Sequence, residues 1–125
     1  MKTLKRVKSA NMAGSGQRGT IFASIRELTE LFGAYTDAVC DDSDGKVTTQ
    51  WIFKFGRNYF EIYDYKETAL YSPDLPSLKD FRAAQNIFAD WSVGAKCNAD
   101  EFIELVNSKL KALRLVKKHR RNQSK

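Results

Sequence analysis

The strongest constraint on the fold lies between Lys46 and Tyr65. Val47, Thr49, Trp51, Phe53 and Phe55 alternate with Thr48, Gln50, Ile52 and Lys54, so one face is aromatic and the other mostly polar. That period of two marks a half-buried strand. Gly56, Arg57 and Asn58 read as a tight loop, and residues 59–65 return as a second strand with Phe60 and Ile62 opposed to Tyr59, Glu61, Tyr63 and Tyr65. A hairpin with one apolar face needs further elements packed on it.

Two helices are marked by their own ends. Ser24 and Glu27 have the spacing of a capping box, Ile25, Leu28, Leu31 and Phe32 recur on one face, and Gly33 supplies a left-handed stop. Residues 20–23 before this helix form a short strand or an apolar lead into it. Asn98 and Glu101 form a second capping box, opening a helix that buries Phe102, Ile103, Val106, Leu110 and Leu113 and runs to about His119. Residues 87–93 alternate well enough for a third strand, ended by Gly94. Pro73 and Pro76 make residues 67–86 an excursion, with one or two helical turns in 77–84. The expectation is an α+β fold in the order α-β-β-β-α, a small antiparallel sheet of about three strands packed by an N-terminal and a longer C-terminal helix, with basic extensions at both ends.

A chain of 125 residues at 42% hydrophobic content is long enough for one core and too short for two comfortable ones. We expect one domain over 20–116, preceded by a flexible basic arm, 1–19, and followed by a basic tail, 117–125. The Gly-, Ser- and Ala-rich stretch 9–19 reads as a link. No stretch reaches the roughly 18 to 20 apolar residues of a membrane helix, and the lysines near the start are not followed by a secretory apolar segment. A soluble protein of the cytoplasm is expected, the host's if the chain is viral. Cys40 and Cys97 belong to no metal-binding or redox motif and are expected to be reduced thiols.

Charge is segregated along the chain. Residues 1–19 carry five basic residues and no acid, and 109–125 carry eight more with none, whereas the stretch between holds all fifteen acids against eight bases. The net charge of +6 therefore hides an acidic body between two basic ends. Lys109, Lys111, Arg114, Lys117, Lys118, Arg120 and Arg121 spread around the last helix, with Leu110, Leu113 and Val116 running through them, so one helix can dock and project a basic end. Such a surface suits phosphate contacts, salt-sensitive and largely indifferent to sequence, with Lys2, Lys5, Arg6 and Lys8 assisting. The competing reading is a solubilising tail, or one that folds against the acidic body of another copy in a homo-oligomer.

Reactive groups that converge are few. His119 is expected to be a solvated residue near a helix end, and no nucleophile-elbow, phosphate-loop or zinc-protease motif is present. Asp41, Asp42 and Asp44 lack the distal ligands of a calcium loop and read as a solvated turn. Asp64 falls in phase with Phe60 and Ile62; if buried it must be paired, and at an edge it is unremarkable. The aromatics Trp51, Phe53, Phe55, Tyr59, Tyr63 and Tyr65 read as a core with a few amphipathic tyrosines before they read as a stacking platform for bases. Tyr63, Tyr65 and Arg57 are candidate contacts for a protein partner.

Residues 18–33, 44–55, 60–66 and 91–106 carry a helix ending in Phe32-Gly33, a strand with Lys46 then Trp51, the strand end Ile62-Tyr63-Asp64-Tyr65-Lys66, and Trp91-x-x-Gly94 before a helix. Together they resemble a group of small bacteriophage-encoded proteins of unassigned function. Ala95 stands where that group has a second glycine, and the excursion over 68–86 is longer. The resemblance implies a viral origin and transfers no site. The expected element order is also that of double-stranded RNA-binding domains, but those place lysines at the start of the last helix, where this chain has one lysine, Lys96, followed by Asp100 and Glu101. The expected function is a non-enzymatic protein, without cofactor or metal, that binds RNA, DNA or a nucleoprotein. The alternative is an interaction module that inhibits a host enzyme or defence complex, or a subunit of a viral assembly.

Overall fold

A computed structural model describes residues 2–38 and 46–123; the expected acidic turn at 41–45 and Cys40 lie outside the described residues. Among the described residues the chain forms six strands and three helices: β1 (Leu4–Val7), β2 (Gly16–Ser24), α1 (Ile25–Phe32), β3 (Thr36–Asp37), β4 (Thr49–Phe55), β5 (Asn58–Tyr63), α2 (Leu78–Ala83), β6 (Phe88–Ala95) and α3 (Asp100–Gln123). One antiparallel sheet runs in the order β1-β4-β5-β6-β2, with β3 also paired to β4. The expectation of about three strands in an α-β-β-β-α order is therefore wrong.

β1 and the first half of β2 lie in stretches whose local sequence does not signal a strand. Leu4–Val7, two of whose four residues are cationic, falls in the expected flexible arm, but it pairs along β4, with Leu4 opposite Phe55 and Val7 opposite Ile52. A row of unpaired β4 backbone groups, not its own propensity, makes it a strand. β2 begins inside the presumed linker, where glycines disguise it, and is held to β6 from Gly16 opposite Ala95 to Ser24 opposite Phe88, with a bulge at Gln17/Gly19. β6 continues through Gly94 instead of stopping there. A Cβ at that position would lie 2.7 Å from Glu61 Oε1 and 2.9 Å from its Cγ, so the glycine admits a neighbouring side chain across the strand.

The central hairpin keeps its expected faces, but its turn is one residue shorter than the expected loop over 56–58, and β5 spans Asn58–Tyr63 instead of 59–65. β4 and β5 join through a two-residue loop, Phe55 pairing with Asn58, and Gly56 has φ of +65°. Arg57 keeps a negative φ, as in a type II′ turn. One sheet face carries Trp51, Phe53, Phe55, Phe60, Ile62, Trp91, Val93, Ile21 and Ala23 into the core. α1 and α3 cover it with Ile25, Leu28, Phe102, Val106 and Leu110. Phe60 and Phe102 stack at 4.6 Å and Trp51 meets Trp91 edge-on at 5.4 Å. Both indoles satisfy their N–H, Trp51 donating to the Gly33 carbonyl at 2.9 Å and Trp91 to that of Ala23 at 3.0 Å.

The Ser24–Glu27 capping box of α1 is present in both directions. Gly33 takes a positive φ of 87° but an extended ψ, so it ends the helix without a left-handed turn. At α3 the expected second box is absent: Asn98 accepts from the Asp100 N–H at 2.8 Å as an Asx turn, while Glu101 bonds Lys2. α2 occupies the expected short helix, with Ser77 accepting from the Asp80 N–H. None of the helices among the described residues is long and apolar enough to cross a membrane.

Candidate functional site

Asp64 is the carboxylate the sequence singles out, and it is 1% exposed. Its Oδ1 accepts from the backbone N–H groups of Thr48 at 2.7 Å and Thr49 at 2.8 Å, and its Oδ2 from the Thr48 hydroxyl at 2.5 Å. Burial pushes its pKa up, and these donors pull against that rise. A carboxylate so occupied clamps the entry of β4 to the exit of β5 and is not presented to a substrate. Among the described residues no group of three His, Cys, Asp or Glu side chains is placed to hold a metal ion, and Asp41, Asp42 and Asp44 lie outside them.

Trp51, Phe53 and Phe55 are buried, so a stacking platform cannot be built from them. Tyr63 is half-buried beside Glu61, and burial raises its pKa first, with Glu61 and Tyr65 adding to the rise. Burial also raises the pKa of Glu61. Tyr65 is exposed with the Lys66 ammonium 5.0 Å from its ring centroid, and Arg57 is exposed in the hairpin turn. The three candidate partner contacts therefore do not form one patch: Arg57 lies at the turn end of β5 and Tyr63 at the other.

The cationic residues divide by use. Arg114 donates from Nε to Glu27 Oε2 at 2.7 Å and from Nη2 to Glu27 Oε1 at 3.0 Å, and also reaches the Phe22 carbonyl at 3.0 Å. Burial pushes the Glu27 carboxyl up, but Arg114, the Ser24 N–H and Lys117 outweigh it and leave its pKa below the ordinary value. Lys117 pairs with Glu30 at 3.0 Å. These two bases thus fasten α3 onto α1. Lys109, Lys111, Lys118, Arg120 and Arg121 are exposed along α3, as is His119. Arg6 points to the core side of the sheet, donating to the Phe32 carbonyl at 2.9 Å and the Thr36 hydroxyl at 3.0 Å, and burial lowers its pKa. Arg6 and Arg114 are tied into the fold, which the charge count alone does not reveal.

The remaining N-terminal bases meet residues that sequence reading did not join to them. Lys5 lies directly opposite Lys54 in the β1–β4 register, and Lys54 lies opposite Tyr59 in the β4–β5 register. The Lys54 ammonium is 6.0 Å from the Tyr59 ring centroid. Lys2 pairs with Glu101 at 2.8 Å and stands 5.5 Å from the Phe55 ring centroid. Lys2, Thr3, Lys5, Lys54, Gly56, Arg57, Asn58 and Glu101 line one open groove of about 930 Å³. Lys8 is exposed and borders a separate groove with Ala34, Tyr35 and Thr36. Neither contact is legible locally: Lys54 meets Tyr59 only because the turn has two residues where three are expected, and nothing local signals the pairing of β1.

The two basic ends do not converge. Lys2 contacts Glu101 at the start of α3, whereas Lys117 contacts Glu30 near its end. These points on the helix are separated by about 24 Å, from the rise per residue of an α-helix. One polyanion would have to extend along the protein to reach both. Compared with known protein families and with curated proteins, the chain matches no family model and no curated sequence.

Proposed function

We propose that this chain is a small, non-enzymatic, phage-encoded protein that binds nucleic acid, alone or within a nucleoprotein, through phosphate contacts in the basic groove at the β4–β5 turn. The observation that carries the reading is the opposition of Lys5 and Lys54 on neighbouring strands. Like charges directly opposite one another destabilise a sheet. A local choice that opposes stability is expected where a site needs it, and here it sets two lysines in register on one face of neighbouring strands, with Arg57 in the adjoining turn and Tyr59 opposite Lys54. The exposed α3 bases Lys109, Lys111, Lys118, Arg120 and Arg121 give a second, more distant contact region for a long strand.

The test is binding of labelled single- and double-stranded RNA and DNA at low and moderate salt. The wild type, a Lys5→Glu/Lys54→Glu variant and a chain ending at Val116 are compared. Binding should weaken with salt, and the double variant should lower the slope of log affinity against log salt by about two. Unchanged binding by that variant, or no binding at low salt, overturns the groove.

A second reading, an interaction module for a host enzyme or a viral assembly, is favoured by one feature. Phe22 and Phe88 stack at 5.3 Å while 56% and 48% exposed, beside the exposed Ile87. It expects no salt-dependent nucleic-acid binding, and loss of partner binding on Phe88→Ser.

A further inference from the structure

A second, smaller cavity adjoins the basic groove. Residues 8–15 carry the chain from β1 at one edge of the sheet to β2 at the other, so they must cross it. On the way Asn11 and Met12 meet Arg57, Asn58 and Tyr59 from the hairpin and Lys96 and Cys97 just after β6, around a cavity of about 180 Å³. That is below the roughly 300 Å³ at which pockets for drug-sized ligands begin, and it suits a single planar ring system.

The lining is chemically mixed in a way that suits a heterocycle. The Tyr59 ring and the Met12 thioether supply flat or adaptable apolar contact, and the Asn11 and Asn58 carboxamides supply donors and acceptors. Asn11 is oriented, its Oδ1 accepting the Ala13 N–H at 3.0 Å, which directs its amino group to other partners. The Ser15 N–H donates to the Met12 carbonyl at 3.0 Å, so the turn holding Asn11 and Met12 is itself closed. Lys96 and Arg57 add cationic groups. Arg57 and Asn58 line both this cavity and the basic groove, so the two spaces share a wall.

We infer that the cavity receives one unpaired base of a single-stranded nucleic acid whose neighbouring phosphates lie in the Lys2–Lys5–Lys54–Arg57 groove. This rests on the phosphate-binding reading of that groove and specifies its ligand. In a duplex the bases are stacked and paired, and none can enter such a cavity without being extruded. A single strand offers splayed bases for aromatic stacking and edge hydrogen bonds at no such cost. An inorganic anion would use the groove and leave the Tyr59 side of the cavity unused.

The experiment is fluorescence anisotropy with a labelled single strand, its duplex, and the same single strand carrying consecutive abasic sites, each as RNA and as DNA. Wild type is compared with Tyr59→Leu and Lys54→Glu. Single strand should bind more tightly than duplex. Tyr59→Leu should lose about tenfold on the single strand, as for one base–aromatic stack, and little on the abasic strand or the duplex. A preference for RNA over DNA would place the sugar hydroxyl in contact, and equal binding would leave the base and phosphates as the recognised parts; either supports the base site. Equal affinity for single strand, duplex and abasic strand, with Tyr59→Leu inert and Lys54→Glu weakening all three, overturns the base cavity and spares the groove. No binding to any of them overturns both. The abasic strand keeps the test decisive even if Tyr59→Leu disturbs the hairpin.

Discussion

Arg114 grips Glu27 with two hydrogen bonds, of 2.7 and 3.0 Å, across the junction between the last helix and the first. Glu27 Oε1 also accepts the Ser24 N–H and so completes the α1 capping box. A residue that reads as a phosphate contact is therefore a fastening between helix cap and terminal helix. Its loss would strand a nearly buried carboxylate.

Arg114→Ala is expected to lower unfolding stability by about 1 to 2 kcal/mol, a range reduced because the guanidinium is half-exposed. Lys118→Ala, on the exposed side of the same helix, should change it little. Urea unfolding of the two variants checks this; equal effects would show that the Glu27 contact is not a fastening. The Glu27 carboxyl is held below its ordinary pKa, so its contribution is present above the unfolded value and lost as pH falls through the folded one. The gap in stability between wild type and Arg114→Ala should close on acidification below the ordinary glutamate range.

Asp64 has the opposite linkage. Its folded pKa lies above the unfolded value because of burial, so its contribution is greatest below the unfolded value and declines as pH rises through the folded one. Asp64→Asn keeps an oxygen for the Thr48 and Thr49 N–H groups and can donate to the Thr48 hydroxyl, so it should be nearly neutral at pH 7. Asp64→Ala leaves those groups buried and unpaired and should cost about 2 to 4 kcal/mol. Chemical denaturation at several pH values distinguishes these outcomes; a mild Asp64→Ala would remove the clamp from the account.

Gly94→Ala should be destabilising by about 1 to 3 kcal/mol, because the added methyl meets Glu61 and lies 3.1 Å from Tyr63 Cε1. Glu61→Ala should relieve much of it. A double-mutant cycle by thermal or urea unfolding checks the coupling, and strictly additive effects would place the strain elsewhere.

Lys54→Thr separates function from stability. Removing one of two opposed ammonium groups should stabilise the sheet by roughly a few tenths of a kcal/mol, while nucleic-acid binding weakens and its salt slope falls by about one. Denaturation midpoints and binding titrations on the same preparation test this. A variant that loses stability and binding together would instead mark Lys54 as a structural residue.

The central hairpin, the Ser24–Glu27 cap, the short α2 helix and the long amphipathic α3 were legible from residue order. Each is set by alternation, turn chemistry or capping among near neighbours. The aromatic face of β4 likewise announced the core, because side chains two apart on a strand share a face. β1, the length of β2, the passage of β6 through Gly94 and the opposition of Lys5 to Lys54 depend on strands remote in sequence. Register is a property of the pair, and neither strand encodes it alone. The same holds for charge: the sequence placed cations at both ends, but only packing decided that Arg6 and Arg114 serve the fold while Lys5 and Lys54 face one another across two strands.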